Sequence, residues 1–183
     1  PQEFTGDSRS VFLLGEANFK VKPDKKRPFI VKSNDLQITA LGTEFNVSAY
    51  PESQEIATTL ISGSIRVAYN NLTTSVILHP NEQFAYNRNN KKYDLSNPDM
   101  DDVTAWQRGE LVLQKMTLTD IINVLERKYP YAFVYSIKNL KNDRFSFRFK
   151  DNAPLEEVME IIVNVVGQMD YRIVEDKCYL TRI

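Results

Sequence analysis

The sequence predicts a mainly β domain, of the β-sandwich or jelly-roll-like kind, followed by a small α+β domain. Two observations support this prediction. Apolar and polar residues alternate with a period of two over residues 1–95, whereas two segments beyond Trp106 repeat their apolar residues with a period of 3.6. A polar, acidic segment separates the two patterns. We therefore predict an all-β domain over residues 1–95, a linker over 96–106 and an α+β domain with a doubled β-α-β pattern over 107–183.

The β prediction rests on short runs rich in Val, Ile, Phe, Thr and Tyr, which turn residues separate at fairly regular intervals. In Glu44–Tyr50, the apolar residues Phe45, Val47 and Ala49 alternate with polar ones, which is typical of a strand with one buried face. Many short strands in succession favour a sandwich or a jelly roll. The predicted strands are Ser10–Leu14, Asn18–Lys22, Phe29–Lys32, Leu36–Leu41, Glu44–Tyr50, Ile56–Ile61, Ser64–Tyr69, Thr74–Leu78 and Gln83–Asn87.

The predicted linker begins with Ser96–Asp102, which is polar, acidic and contains a proline. Such a segment is either an extended linker or the capped start of a short helix. Trp106 lies at the end of this region, where it could present a ligand platform or anchor the domain junction. We favour the anchor, because a large apolar ring next to a linker more often packs than binds.

The first predicted helix begins near Leu118 and stops before Pro130. Thr117 and Asp120, three residues apart, resemble a capping box at its start. Its apolar residues follow the i, i+3, i+4, i+7 spacing of one helical face. They are Leu118, Ile121, Ile122 and Leu125.

The second predicted helix has signals at both ends. Pro154 suits the first helical position, Glu156 and Glu157 suit the positive N-terminal end, and Gly167 suits the C-terminal cap. Its wider apolar stripe consists of Leu155, Val158, Met159, Ile162, Val163 and Val166.

A predicted strand flanks each helix on both sides, and one further strand follows, so the domain reads as two β-α-β units plus a closing strand. We expect the two helices to cover one face of a small sheet and to leave the other face or an edge accessible. The predicted strands are Glu110–Lys115, Tyr131–Tyr135, Arg144–Lys150, Tyr171–Val174 and Cys178–Arg182.

The composition gives little support for catalysis. The single cysteine, Cys178, excludes both an intrachain disulfide and a paired-cysteine site. The only histidine, His79, precedes Pro80 in a predicted turn and has no second histidine with which to build a zinc site or a proton relay. We therefore predict a protein that is not an enzyme and that needs no metal or cofactor.

A nucleic-acid partner is an alternative that the charge balance argues against, because 23 Lys and Arg residues face 24 Asp and Glu residues. Arg144–Lys150 alternates aromatic with basic residues, as the stacking strand of an RNA-recognition module does. We favour a core position for Phe145, Phe147 and Phe149 and predict no nucleic-acid binding. A basic patch is predicted to be a solvated hairpin tip. It consists of Lys20, Lys22, Lys25, Lys26 and Arg27.

Five ordered motifs over about residues 9–87 resemble the periplasmic FecR domain. These are Leu14-Gly15-Glu16-Ala17-x-Phe19-x-Val21, Arg27-Pro28-Phe29-x-Val31, Leu41-Gly42-Thr43-x-Phe45-Asn46-Val47-x-Ala49-Tyr50, Thr59-Leu60-x-x-Gly63-Ser64-Ile65-x-Val67 and Leu78-x-Pro80-x-Glu82-Gln83. The last motif departs from the family pattern, because His79-Pro80-Asn81 stands where a Pro-Gly turn is usual.

The second half resembles the domain that follows in Bacteroidetes-type FecR proteins, which is similar to the short N-terminal domain of secretins and TonB-dependent receptors. Its motifs are Trp106-x-x-Gly109-x-Leu111, Leu118-x-x-Ile121, Leu125-Glu126-Arg127-x-Tyr129 and Pro154-Leu155-Glu156-Glu157-Val158. The resemblance implies that a cytoplasmic anti-sigma segment, a transmembrane helix and the first strands of the FecR domain lie outside this sequence.

The resemblance implies a transmembrane anti-sigma factor whose periplasmic sensor region this sequence would be. It would relay a signal from an outer-membrane TonB-dependent transducer to an extracytoplasmic-function sigma factor, with the full-length protein anchored in the inner membrane. The implied partners are the signalling domain of that receptor and, through the absent cytoplasmic segment, the sigma factor. The ligand, the sigma factor, the sign of the regulation, the oligomeric state and the docking surface are not readable from the sequence.

A β-sandwich that binds an envelope glycan or polymer is the alternative function. Modules that bind glycans expose a planar row of Trp and Tyr side chains, whereas this chain has one tryptophan, at the predicted junction. The alternative is therefore disfavoured.

The predicted docking surface is an edge of the C-terminal sheet, where a partner could add a strand. Cys178–Arg182 has no following element to shield it, so we expect it to be the open edge, with Leu180 in the strand and Tyr179 and Tyr171 giving selectivity. The aromatic strand Tyr131–Tyr135 is the second candidate edge.

Overall fold

The computed structural model describes residue 4 and residues 6–135 and 143–183, and it divides the chain into two units between Thr104 and Ala105. This boundary lies inside the segment predicted as a linker. Among the described residues, no helix has the length and apolar character that crossing a bilayer requires.

The first unit contains two five-stranded sheets. The first sheet has the strand order β1-β3-β4-β7-β8 and the second has the order β10-β9-β6-β5-β2. The strands are β1 (Arg9–Phe12), β2 (Gly15–Lys20), β3 (Phe29–Lys32), β4 (Gln37–Ala40), β5 (Glu44–Ala49), β6 (Glu55–Ser62), β7 (Ile65–Tyr69), β8 (Thr74–Leu78), β9 (Gln83–Asn87) and β10 (Tyr93–Ser96).

One apolar core joins the two sheets, because the alternation of side chains directs every second residue inward. The first sheet contributes Phe29, Val31, Ile38, Ala40, Ile65, Val67, Tyr69 and Leu78. The second contributes Phe45, Val47, Ala49, Ile56, Leu60, Phe84 and Tyr86. The mainly β, two-sheet architecture that the sequence predicts for this half is thus confirmed.

Two features of the first unit differ from the prediction. β10 is an additional strand of only four residues, in which Tyr93 and Leu95 alternate with Asp94 and Ser96 although all four residues are exposed. It pairs antiparallel with β9, and the Tyr93 ring stacks on Phe84 with the ring centroids 4.9 Å apart. β1 pairs with β3 in parallel, an arrangement that sequential antiparallel hairpins do not produce.

The predicted linker contains regular structure. A short helix α1 (Met100–Thr104) begins after Asp99, whose carboxylate accepts a 2.8 Å hydrogen bond from the Asp101 backbone N–H. A 3₁₀ turn, Ala105–Arg108, follows it. Of the two alternatives for this segment, the capped short helix is the one that forms.

The second unit contains two longer helices and five strands, all in the predicted order. They are β11 (Leu111–Met116), α2 (Leu118–Lys128), β12 (Ala132–Tyr135), β13 (Phe145–Phe149), α3 (Leu155–Val166), β14 (Met169–Val174) and β15 (Lys177–Arg182). Among the described residues, these strands form two sheets: β11 pairs with β13, and the other three strands have the order β12-β15-β14. The expectation of one small sheet was wrong.

The capping residues fix the ends of both helices. The Thr117 hydroxyl oxygen accepts the Asp120 backbone N–H at 3.2 Å and donates to the Asp120 carboxylate at 2.6 Å. Gly167, with φ +69°, ends α3 as predicted, because this left-handed conformation is strained for other residues. Pro154, predicted at the first helical position, is instead the N-cap residue, so α3 begins one residue later, at Leu155.

Both sheets and both longer helices of the second unit share one core. Two rows of apolar helical residues, on α2 and α3, pack with strand residues from each sheet. The buried members include Leu113, Leu118, Ile121, Ile122, Leu125, Phe133, Phe147, Phe149, Val158, Met159, Ile162, Cys178 and Leu180.

We expect Thr117→Ala to destabilise the second unit by about 1 kcal/mol, because the first turn of α2 loses its side-chain acceptor. Trp106, the only tryptophan, lies in this unit, so urea unfolding followed by its fluorescence measures the change. Thr119→Ala is the matched control, since Thr119 is exposed inside the same helix. Equal midpoints for Thr117→Ala and the wild type would contradict the role of this cap.

Candidate protein-interaction surface

The closing strand lies in the middle of the three-stranded sheet. β15 pairs in parallel with β12 over Ala132–Tyr135 and antiparallel with β14 over Met169–Val174. The prediction that Cys178–Arg182 forms the open edge was therefore wrong. Although β15 is the last strand in the sequence, it is a central strand, because β14 pairs with one of its edges and the earlier strand β12 pairs with the other.

Side chains of the three-stranded sheet divide between its two faces. Residues on the inner face belong to the core or pack against it. They are Phe133, Met169, Tyr171, Ile173, Cys178 and Leu180. We call the opposite face the outer face. Its residues are Ala132, Val134, Asp170, Arg172, Val174, Lys177, Tyr179 and Thr181.

The centre of the outer face is apolar and its surroundings are charged. Val134, Tyr179 and Arg172 lie in register across the three strands, and the Arg172 guanidinium sits 5.6 Å from the centre of the Tyr179 ring. Val134 is 45% exposed and Val174 is 42% exposed. Lys177 lies opposite Val174 in the adjacent row. The face thus presents aliphatic and aromatic surface beside two cationic side chains.

Carboxylates occupy backbone donors on both edge strands. The Phe133 backbone N–H of β12 donates to Glu126 Oε1 at 2.9 Å, and the Tyr171 backbone N–H of β14 donates to Asp170 Oδ1 at 2.8 Å. An edge strand attracts a further strand through unpaired donors and acceptors. Because these two donors are already bonded, both edges are partly protected against strand addition.

The residues predicted to bind a partner are distributed over both faces. Leu180 is 3% exposed and belongs to the core. Tyr171 packs against that core and donates its hydroxyl proton to the Glu156 carbonyl oxygen at 3.1 Å. Burial raises the pKa of Tyr171, and the nearby Glu160 and Glu156 carboxylates raise it further. Tyr179 alone of these three faces outward.

The second predicted edge strand does lie at an edge. Tyr131 packs against the core, whereas Tyr135, at the end of β12, is 38% exposed. Sequence reasoning missed Val134, Arg172 and Val174. The signal that would have revealed them is the period of two along β12 and β14, which sets them opposite the buried residues.

Trp106 lies in the 3₁₀ turn and is 40% exposed. Full burial of its ring, which an apolar anchor would have, is therefore not observed. Ala105, the preceding residue, is completely buried and is the residue of this turn that contributes apolar packing.

The aromatic side chains of the predicted alternating strand, Phe145, Phe147 and Phe149, belong to the core or pack against it. Phe147 and Phe149 are buried, and successive rings stack at centroid distances of 6.3 and 5.9 Å. Buried rings cannot stack on nucleic-acid bases. Within the described ranges, this strand pairs with β11 in the two-stranded sheet.

The titratable groups singled out by the sequence belong to different units. His79 is exposed, and its backbone N–H donates to the Glu82 carboxylate at 2.8 Å. Cys178 is completely buried in the second unit, and burial raises the pKa of its thiol from about 9 to about 11, with a contribution from Glu156. Within the described ranges, no three His, Cys, Asp or Glu side chains cluster as metal ligands would.

We expect Cys178 to react with a thiol reagent only after unfolding, because its thiol is inaccessible and largely protonated at pH 8. The absorbance after addition of Ellman's reagent, with and without about 8 M urea, measures how much of the thiol has reacted over a period on the order of minutes. The unfolded thiol ionises near pH 9 and the folded thiol near 11, so this group's contribution to stability should fall between those values. Complete reaction of the native protein within seconds would contradict the buried position.

Two models of one family match the sequence. The FecR protein model matches residues 2–66, and the model described as FecR, C-terminal, matches residues 110–180. Their order along the chain is the order of the two structural units. No curated protein matches the sequence.

Solved structures match the whole chain. Two crystal structures of a proposed anti-sigma factor from Parabacteroides distasonis ATCC 8503, at 1.65 and 2.50 Å resolution, share 33% sequence identity with it. Each alignment covers 100% of this chain and 84% of the other, with a TM-score of 0.90. The likeness therefore extends over both units.

Proposed function

This chain belongs to the FecR family of anti-sigma factors, and we propose that it is the periplasmic sensor region of a transmembrane sigma regulator. In this proposal, the protein is anchored in the inner membrane. It receives a signal from an outer-membrane TonB-dependent transducer and relays it to an extracytoplasmic-function sigma factor. The partner of the region described here is the signalling domain of the transducer.

The observation that carries the proposal is the continuous likeness of both units to an anti-sigma factor at 33% identity. A regulator of this kind acts by recognising other proteins. The second unit is the one whose sequence resembles the short N-terminal domain of TonB-dependent receptors, so we assign transducer docking to it.

The outer face is the part of the second unit best suited to docking. Its centre offers Val134, Val174 and Tyr179, whose apolar surface becomes favourable to bury when a partner covers it. Edge-to-edge strand addition is less suited, because carboxylates already bond the Phe133 and Tyr171 donors. We therefore infer that side chains, rather than backbone ladders, make the principal contacts.

Charge indicates the character of the opposing surface. Arg172 and Lys177 lie on the same face as the apolar centre, whereas Asp170, the one acidic residue among the described residues of this face, bonds the Tyr171 backbone N–H through its carboxylate. A partner surface with acidic residues around an apolar patch would be complementary, and complementary charge raises association rates and selects among partners.

We expect Val134→Asp to weaken binding of the transducer's signalling domain at least tenfold, because an unpaired carboxylate would be buried at the centre of the interface. Val165→Asp is the matched control, since Val165 is 59% exposed on α3 and away from the outer face. Biolayer interferometry with the signalling domain of a transducer from the same organism gives both affinities. Arg172→Glu should weaken binding as well, with the larger loss at low ionic strength.

Two outcomes separate the parts of the proposal. Failure of the wild-type chain to bind any signalling domain from that organism would overturn the proposed partner. Binding that survives Val134→Asp and Arg172→Glu, with tryptophan fluorescence verifying the fold of each variant, would overturn the outer face as its site.

A further inference from the structure

The first unit has a cleft of about 450 Å³ at one end of the sheet that contains β4, β7 and β8. Pro23, Lys25, Leu41 and the buried Thr43 line it. Arg66 and Ile77, which lie in register on neighbouring strands, line it as well. None of these residues has a part in the proposed docking to the transducer.

Glycines allow the walls of the cleft to approach each other. A Cβ at Gly42 would lie 2.7 Å from Pro23 Cα, and one at Gly63 would lie 2.7 Å from Thr43 Cγ2, both closer than real contacts permit. Gly63 also has φ +91°, which side chains rarely adopt. The Asp24 backbone N–H donates to the Leu41 carbonyl oxygen at 2.9 Å, and this hydrogen bond joins the loop that follows β2 to the loop that follows β4. The cleft is therefore held in shape before any ligand binds.

In the loop that contributes Pro23 and Lys25 to the cleft, the cationic side chains Lys25, Lys26 and Arg27 are exposed. Asp24 accepts the backbone N–H groups of Lys26 and Arg27 at 3.1 Å and the Arg27 side chain at 3.0 Å. The Arg27 guanidinium holds the pKa of Asp24 below its usual value. The Asp24 carboxylate thus pairs with the Arg27 side chain. The prediction that the basic patch is a hairpin tip was wrong, because Lys20 belongs to β2 and the loop with the other four residues joins strands of different sheets.

Lys25 and Arg66 are both exposed and, over the described part of the chain, neither forms an ion pair with a carboxylate. Between them, Leu41 is 47% exposed and Ile77 is 53% exposed. Two cations beside two exposed aliphatic side chains in one concavity favour a ligand that is both acidic and apolar.

We propose that this cleft binds an extended peptide segment of a partner protein in which an acidic side chain neighbours an aliphatic one. The acidic group pairs with Arg66 and Lys25, and the aliphatic group packs on Leu41 and Ile77. A peptide suits the site better than an anionic lipid surface, because Leu41 and Ile77 line a concave cleft and do not protrude as membrane-inserting side chains do. Ile77 also belongs to β8, an edge strand of its sheet, so the segment can lie along that strand.

The probe is a fluorescein-labelled peptide that alternates aspartate and leucine over six residues, and its anisotropy is measured on titration with the whole chain. We expect saturable binding that weakens between 50 and 300 mM salt, because screening reduces the attraction between exposed charges. Two comparison peptides replace every aspartate with asparagine or every leucine with serine. Each should bind at least tenfold more weakly.

Arg66→Glu and Leu41→Ser test the two halves of the site separately, and each should weaken binding of the aspartate–leucine peptide at least tenfold. Lys92→Glu is the matched control for charge, since Lys92 is exposed and does not line the cleft. Both substituted side chains are exposed, so circular dichroism spectra should match the wild type. Any of three results would overturn the proposal: equal affinity for the asparagine peptide, wild-type affinity of Arg66→Glu, or binding to phosphatidylglycerol vesicles without binding to the peptide.

Discussion

The pairing of β15 with both of its neighbours is the constraint on which the second unit depends. Through that strand, the parallel partner β12 and the antiparallel partner β14 become one sheet. The same pairing directs Cys178 and Leu180 into the core and Tyr179 to the other side. The outer face therefore exists because residues more than forty positions apart in sequence, Ala132 and Lys177, lie opposite each other. Contacts of that separation form at an entropic cost that the shared core must offset.

Local signals made most of the fold predictable. Period two marked the buried faces of strands such as Glu44–Ala49, and period 3.6 with Thr117 and Gly167 marked the two helices. β10 was missed because its alternation of Tyr93 and Leu95 with Asp94 and Ser96 extends over only four residues, a short signal for a strand. The partition into two sheets was missed for a different reason, since pairing partners distant in sequence leave no local pattern. The open edge was assigned to the wrong strand for the same reason, because the identity of an edge depends on which strands pair.

The two edges of the three-stranded sheet show how a small domain can keep an exposed face while its edge strands are protected against non-specific strand pairing. Glu126 and Asp170 bond backbone donors that another strand would seek. In the proposed docking, recognition is left to side chains, whose chemistry distinguishes partners, whereas backbone groups are the same in every strand. The proposed peptide site of the first unit is similar, because Gly42 and Gly63 fix the shape of the cleft and the side chains that line it would provide the selectivity.

The separation between inner and outer face also has an evolutionary consequence. Inner positions such as Cys178 and Leu180 are constrained by packing, and each change there costs stability. Outer positions such as Val134 and Val174 are exposed, and substitutions at exposed sites usually change the free energy of unfolding by no more than about 0.5 kcal/mol. Gene duplicates can therefore diverge at the outer face while every copy still folds. Under the docking that we propose for the outer face, one scaffold can in this way supply a genome with many separate signalling proteins, each distinguished by a few surface residues.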